Sequence, residues 1–403
     1  MTDEEPSGPW ILCLFTVAGL AEAGMWGQVN AFVPLYLPAL GVPADGVPRW
    51  TALVTIAGTV AGLASLPLWG ALADRYARKP VIVRSFVAYA LGCALAAGAR
   101  GVGAFAVGRT LMGLAMGNSG LMMATLGERL PPRRRSLGFA VFNSAPPLGA
   151  FLAPLAGGAL VERAGARALF ALDAVLMLAV TASLWAGYRD RYTPTTTRPV
   201  GELALDSLRQ LVASPRLRRL FPTLFALFGA WMLVNLYLPL AVAARFPTGH
   251  LATRIGWILA GGGAATVALA PSLGALADRR GLWPVLTLAA AAEALVWPVA
   301  GWTARLDVFA ASWALANGLA SAVFALSFVA LSDAAPERAR GRVMAYAYLP
   351  STAGYGIASG LGVALGAAAV PHMFSAAAAL TAIGCAGLVW TRRAPSLDPE
   401  AAR

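Results

Sequence analysis

Twelve apolar stretches, each long enough to cross a bilayer and each closed off by charge, proline or glycine, decide what this chain can fold into. They lie at about 10–38, 50–72, 81–98, 102–127, 137–160 and 166–188. After a polar stretch at 189–219 they resume at about 220–244, 255–276, 283–302, 306–331, 343–366 and 370–390. A spanning helix needs about 20 apolar residues, because hydrocarbon offers no partner to a free peptide group and the backbone must satisfy itself. A barrel would show alternating segments of about ten residues, and these runs do not alternate. Composition agrees: 58% of the 403 residues are hydrophobic, 12% are charged and the mean hydropathy is +0.67. Soluble domains carry about 25% charged residues, so disorder, a disulfide scaffold and a water-soluble enzyme are excluded. The expectation is an all-α polytopic membrane protein with 12 transmembrane helices in two pseudo-symmetric six-helix bundles, 1–188 and 220–403. The connecting segment 189–219 begins with the turn-rich Arg191–Pro199. It then sets Leu208, Leu211 and Val212 on one side of a short amphipathic helix.

The net charge of +12 would suggest nucleic acid in a soluble domain. Here the basic residues sit in short loops, which is the pattern of an anionic membrane face, and no nucleic-acid partner is expected. One set of loops holds Arg75, Arg78 and Lys79, then Arg129 and Arg133–Arg135, seven arginines between Arg189 and Arg219, and Arg279 and Arg280. It continues with Arg338, Arg340 and Arg342, and Arg392 and Arg393. The opposite loops hold single or paired arginines such as Arg49, Arg100 and Arg305. The positive-inside rule then predicts a multi-pass protein of the cell membrane with both termini cytoplasmic. Met1–Pro9 is acidic and leads into a run too long for a signal peptide. Cys13, Cys93 and Cys385 lie in apolar runs, His250 in a loop and His372 at the loop edge of the last run, so no metal site, cofactor or disulfide is expected.

The halves repeat one another. GALADR stands at Gly70–Arg75 and again at Gly274–Arg279; LYLP stands at Leu35–Pro38 and at Leu236–Pro239. Glu128, Pro131, Arg133 and Arg135 are matched by Asp333, Pro336, Arg338 and Arg340, 205 residues on. Each pair falls on the same side, as in parallel repeats related about the membrane normal, and transporters so built hold substrate near the midplane.

Three motifs stand out. The second run ends in Gly70-Ala-Leu-Ala-Asp74-Arg75-Tyr-Ala77-Arg78-Lys79. Its glycine permits close helix approach, and its carboxylate can cap a helix or pair with arginine. The fourth run holds Arg109-Thr-Leu-Met-Gly113-Leu-Ala-Met-Gly117, which reads as an arginine above a stripe of small residues. An arginine within hydrocarbon costs a few kcal/mol unless it meets a cavity and a partner. The fifth run holds Gly149-Ala-Phe-Leu-Ala153-Pro154-Leu-Ala-Gly157-Gly158, small residues with a kink.

Together these resemble the major facilitator superfamily over essentially the whole chain, and in particular its drug:proton antiporter branch. The loop decapeptide resembles the signature G-x-L-[AGS]-D-R-x-G-R-[KR], with Ala77 in place of a glycine. The resemblance implies a cytoplasmic gate made by Gly70, Asp74, Arg75, Arg78 and Lys79, with Gly274, Asp278 and Arg279 as its second copy. It implies that Arg109 takes part in proton handling. Gly149, Pro154, Gly157 and Gly158 resemble the antiporter motif, with Ala153 replacing a glycine. A cavity lined by the first, fourth, seventh and tenth helices follows from the resemblance. The matching residues are Trp26, Asn30, Asn118, Trp231, Asn235 and Asn317, with Asn143 and Tyr355 from the fifth and eleventh.

Glu22 lies about a dozen residues into the first run, near mid-bilayer at 1.5 Å per residue. With His250 outside the runs and His372 only at the outer edge of the last one, a carboxylate is the available proton carrier, and Glu22 is the best placed. Asp173 and Glu293 are also intramembrane, on helices that the resemblance sets outside the central cavity. No GxxxxGK[ST], HExxH or paired-aspartate set occurs, so neither ATP-driven pumping nor enzymatic chemistry is expected. The reading is a secondary transporter exporting a small amphipathic compound against protons, a single chain being the working unit. Proton-coupled import of a metabolite or sugar, and a sensor that binds without turnover, are the alternatives.

Overall fold

The computed structural model describes residues 8–75, 77–115, 117–131, 135–190, 214–334, 349–365 and 370–393. Within these, the side chains of 66–68, 70–71, 73–75, 135–137, 140, 151, 362–365 and 370–371 lie outside the description. Helices α1 (Gly8–Tyr36), α2 (Val47–Arg75), α3 (Arg78–Gly98), α4 (Val102–Leu114), α5 (Asn118–Arg129) and α6 (Arg135–Gly187) come first. They are followed by α7 (Pro215–Arg245), α8 (Leu251–Arg280), α9 (Leu282–Trp302), α10 (Leu306–Ala334), α11 (Leu349–Leu365) and α12 (Val370–Arg392). Among the described residues there is no strand.

Nine described helices are long and apolar enough to cross a membrane, and the difference from twelve runs has local causes. The fourth run is broken into α4 and α5 at Gly117, whose φ of 107° is left-handed backbone that favours glycine. Gly117 therefore interrupts the helix and does not continue a small-residue stripe on one helical face. The fifth and sixth runs are continuous in α6 but turn at Gly165, φ 79° and ψ 166°. The eleventh run is described for 17 residues. The residues 191–213 and 335–348 lie outside the description, and with them most of the amphipathic stretch and Arg338–Arg342. Helix α7 opens on Ser214, whose hydroxyl accepts from Leu217 N, with Pro215 in its first turn.

The chain forms two compact units. One contains the described parts of Met1–Ala44, Ala57–Ala204 and Ala252–Gly256; the other contains those of Asp45–Ile56, Leu205–Leu251 and Trp257–Arg403. In the first, Tyr36, Phe105 and Phe170 pack ring to ring at 5.3–5.7 Å. Tyr36 also donates to the Ala96 carbonyl at 2.9 Å. In the second, Leu220, Leu224, Leu227 and Phe228 pack with Leu286, Ala290, Val323 and Leu388. The outer faces are apolar; Leu288 is 67% and Leu295 75% exposed, a fault in water and the proper surface in lipid.

One crossing is built twice. Gly149 of α6 lies against the Leu20 carbonyl and Gly24 of α1, where an added methyl group would stand 3.0 Å from Gly24 N. Gly354 of α11 lies against Gly229 of α7, where it would stand 2.8 Å from Gly229 Cα. Gly229 follows Gly24, and Gly354 follows Gly149, by 205 residues each. Glycine at these points lets two backbones touch, which is how helices associate without a hydrophobic drive between them.

Candidate functional site

In the first unit, Glu22, Trp26 and Asn30 recur at four-residue spacing and so share one face of α1. Both oxygens of Glu22 are engaged. The Tyr89 hydroxyl on α3 donates to Oε1 at 2.6 Å, and Asn118 Nδ2, in the first turn of α5, donates to Oε2 at 2.8 Å. The break at Gly117 is what starts α5 at this depth and sets the Asn118 amide on the carboxylate. Tyr89 is held by Phe86 at 5.9 Å and by Trp26 at 6.1 Å, both T-shaped. Trp26 has a second neighbour, the Arg109 guanidinium, 5.0 Å from its ring centroid. Arg109 Nη2 donates to Asn30 Oδ1 at 3.1 Å, and the residue is 1% exposed. A buried cation is thus fixed by an amide and an aromatic face, while Trp26 stands between it and the Tyr89–Glu22 pair.

Chemically, a carboxylate with two donors can hold a charge out of water, and both donors serve its charged form. A neutral carboxyl must turn one of them into an acceptor. Tyr89 can rotate its hydroxyl; Asn118 must flip its amide or release it. Tyr89 was missed in the sequence because an aromatic in an apolar run reads as core. Buried Ser85, four residues before it, is the signal that marks a polar face on α3.

The other residues expected in the cavity do not join this cluster. In the second unit, Trp231 Nε1 donates to Asn317 Oδ1 at 2.8 Å, and Asn317 Nδ2 donates to the Gly262 carbonyl at 3.1 Å and Thr266 Oγ1 at 3.3 Å. Asn317 is thereby a buried staple across α7, α8 and α10. Asn235 donates to its own helix at Trp231 O, 3.0 Å. Asn143 is exposed and donates to Phe139 O at 2.9 Å, and Tyr355 is half-buried. Of the remaining carboxylates, Glu293 is 1% exposed and accepts from Trp297 Nε1 at 3.0 Å. Asp173 is equally buried, and its Oδ2 has no hydrogen-bond partner among the described residues.

Of the loop decapeptide, the side chains of Gly70, Asp74 and Arg75 lie outside the described residues. Arg78 makes a bidentate pair with Glu128 at 2.9 and 2.8 Å. Asp190 Oδ2 accepts from the backbone N–H groups of Arg78 and Lys79 at 2.6 and 2.7 Å, so a residue from beyond α6 caps α3. Lys79 Nζ donates to Trp185 O at 2.6 Å. Beside this knot, burial pushes the Tyr188 phenol up to about 12. In the second copy Asp278 and Arg279 are exposed, and no atom of the described residues lies within 4 Å of a methyl group placed on Gly274. The α6 motif is a packing surface throughout. Pro154 faces Gly27, Gly157 abuts Gln28 Oε1, and Gly158 abuts the Ala252 carbonyl.

Comparison with known proteins agrees with this architecture. The family model described as Major Facilitator Superfamily matches residues 14–253 and 248–403. Multidrug resistance protein MdtG of Salmonella typhi is 28% identical over 294 residues, covering 70% of this chain and 68% of that protein. The MdtG of Salmonella typhimurium matches to the same extent. Among solved structures, the POT family transporter PepTSo superposes with a TM-score of 0.77 at 15% identity, over 96% of this chain and 98% of that one. The nucleoside transporter NupG gives 0.74 at 13% identity, over 96% and 100%. With the family model spanning nearly every residue and the helical fold shared, this chain belongs to the major facilitator superfamily of membrane transporters.

Proposed function

We propose that the chain is a proton-driven exporter of small amphipathic compounds and that Glu22 carries the proton. The observation that carries this reading is the carboxylate of Glu22, inside a spanning helix, with Tyr89 and Asn118 as its two donors. An ionisable group at that depth is costly unless it works. The printed name of the MdtG relatives and the antiporter-like segment Gly149–Gly158 favour export. The basic loops favour a cell-membrane protein with both termini cytoplasmic, organised as bundles 1–188 and 220–403 about the linker 189–219.

In the cycle, a charged Glu22 receives an amphipathic cation beside the Trp26 ring. A proton arriving from outside neutralises Glu22 and discharges the compound. Loss of that proton inside restores the site, by alternating access. A proton placed on Oε2 reverses the hydrogen-bond demand on Asn118, and Asn118 opens α5 next to the break at Gly117. The proton is thereby coupled to a backbone joint. Arg109, held by Asn30 and Trp26, is a fixed positive charge that biases the carboxylate. Trp231, Asn235, Asn317, Asn143 and Tyr355 are assigned to compound recognition, and the arginine-rich loop after α2 to gating.

The test is flux in proteoliposomes with tetraphenylphosphonium as the probe and an imposed proton gradient. Export predicts movement of the cation against the proton flow, in the compartment sense opposite to a symporter. Accumulation in the direction of proton flow would establish import instead. Binding without flux under either gradient would establish a sensor.

A further inference from the structure

The second unit carries an open groove of about 330 Å³ along the lipid-facing side of α9 and α12. It is lined by Pro284, Thr287, Leu288 and Ala291 from α9 and by Val389 and Arg392 from α12. Its walls are apolar apart from Thr287 and one end. There Arg392 is exposed and takes no partner among the described residues. Trp283 and Trp390, next in sequence to the lining residues Pro284 and Val389, each carry an arginine. The Arg216 guanidinium lies 5.3 Å from the Trp283 centroid, and that of Arg219 lies 4.7 Å from Trp390. Arg216 Nε is buried without a hydrogen-bond partner among the described residues. The segments that meet here, 214–219, 278–284 and 389–393, hold seven arginines against the single carboxylate of Asp278.

We propose that this groove seats one anionic phospholipid, its acyl chain along Leu288 and Ala291 and its phosphate at Arg392. The argument is one of complementarity. Leu288 is 67% and Val389 42% exposed, so the groove opens where acyl chains are the solvent, and a chain fills it without desolvating anything polar. Tryptophan and arginine gather at headgroup level because each has an apolar body and a polar tip. Basic grooves between helices at such a level select anionic headgroups. A free phosphate would leave the apolar length of the groove empty. The assignment stands apart from the transport reading, because none of these residues belongs to the Glu22 cluster.

The experiment takes the full chain, delipidated in detergent, and titrates it with phosphatidylglycerol or phosphatidylcholine. Retained lipid is read by native mass spectrometry and stability by thermal melting. Phosphatidylglycerol is expected to be retained and to raise the melting temperature, and phosphatidylcholine to do less of both. Arg392→Ala should weaken phosphatidylglycerol retention about fivefold. Ala291→Trp, which fills the groove and leaves every charge in place, should abolish it. Arg305→Ala, at an exposed arginine paired with Asp307, should change nothing. Equal retention of the two lipids, an undiminished response in Arg392→Ala or Ala291→Trp, or an equal loss in Arg305→Ala would overturn the proposal.

Discussion

Replacing Glu22 by glutamine keeps the shape of the side chain and removes the exchangeable proton, so it separates chemistry from folding. The structure sets the size of the effect. The Tyr89 hydroxyl lies 2.6 Å from Oε1, in the range of a charge-assisted O–H···O⁻ bond, and such bonds contribute about 1.5–3 kcal/mol against about 1 kcal/mol for a neutral pair. Glutamine retains one acceptor and presents an amide to the second donor, so about 1–3 kcal/mol of bonding is lost. Against this, a buried charge no longer has to be held out of water. The two contributions oppose each other. At about 2–4 °C per kcal/mol for 150–250 residues, and less for a longer chain, the melting temperature should move by only a few degrees. Gradient-driven transport, which needs the proton, should fall at least tenfold, while exchange of labelled for unlabelled compound at equal pH persists. Tyr89→Phe supplies the second arm of a double-mutant cycle at pH 8.5. Its cost should be larger by about 1 kcal/mol in the parent protein than in the Glu22→Gln protein, because only the former loses a charge-assisted bond. Gradient-driven flux in Glu22→Gln within twofold of the parent, or a Tyr89→Phe cost that is the same with and without Glu22→Gln, would refute the reasoning.

Arg109→Lys should reduce gradient-driven transport more than tenfold without loss of protein in the membrane. A point ammonium cannot both lie against Trp26 and reach Asn30 as the planar guanidinium does. Asp190→Ala removes the acceptor of two α3 N–H groups; at about 0.5–2 kcal/mol for a lost cap, amide exchange at Arg78 and Lys79 should accelerate while Glu22-dependent transport survives. The Tyr188 phenol, raised from 10 to about 12 by burial, stabilises the fold fully below pH 10 and ceases to do so as pH rises through 12. Absorbance titration at 295 nm should therefore find a late tyrosinate step that Tyr188→Phe deletes.

Periodicity carried the larger features of this molecule in its sequence. The face formed by Glu22, Trp26 and Asn30 follows from four-residue spacing alone, and the offset of 205 between loop segments recurs in the glycine crossings. What periodicity does not encode is backbone conformation at a single residue. Gly113 and Gly117 read as one small stripe, yet Gly113 packs against Gly58 while Gly117 adopts φ 107° and splits the helix. Glycine serves both ends equally well, so the letter does not distinguish them. Tyr89 was hidden for a related reason, since its ring belongs to the aromatic core while its hydroxyl belongs to the carboxylate. Asn317 bonds Trp231, Gly262 and Thr266 within the second unit, partners the sequence does not announce, because an asparagine in an apolar run signals only that some partner exists.

The repeat also bears on where ionisable chemistry sits. Trp26 and Asn30 recur as Trp231 and Asn235, 205 residues on, beside the recurring Gly24 and Gly229. The scaffold around them recurs as well, but not its charges: Glu22 is matched by Leu227, and Arg109 by Ala314. In the first unit the tryptophan ring meets a guanidinium and the asparagine accepts from it. In the second, Trp231 donates to Asn317 and Asn235 bonds its own helix. One repeated frame thus carries an ionisable cluster in the first unit and a neutral amide–indole cluster in the second, and their functions should separate. Trp231→Phe leaves Asn317 Oδ1 without its donor, at about 1–3 kcal/mol, and should weaken binding of tetraphenylphosphonium and lower the melting temperature. The number of protons moved per cation, measured from the reversal potential in proteoliposomes, should stay as in the parent. A Trp231→Phe protein that binds normally but moves cations without protons would place coupling in the second unit and remove the reason for assigning it to Glu22.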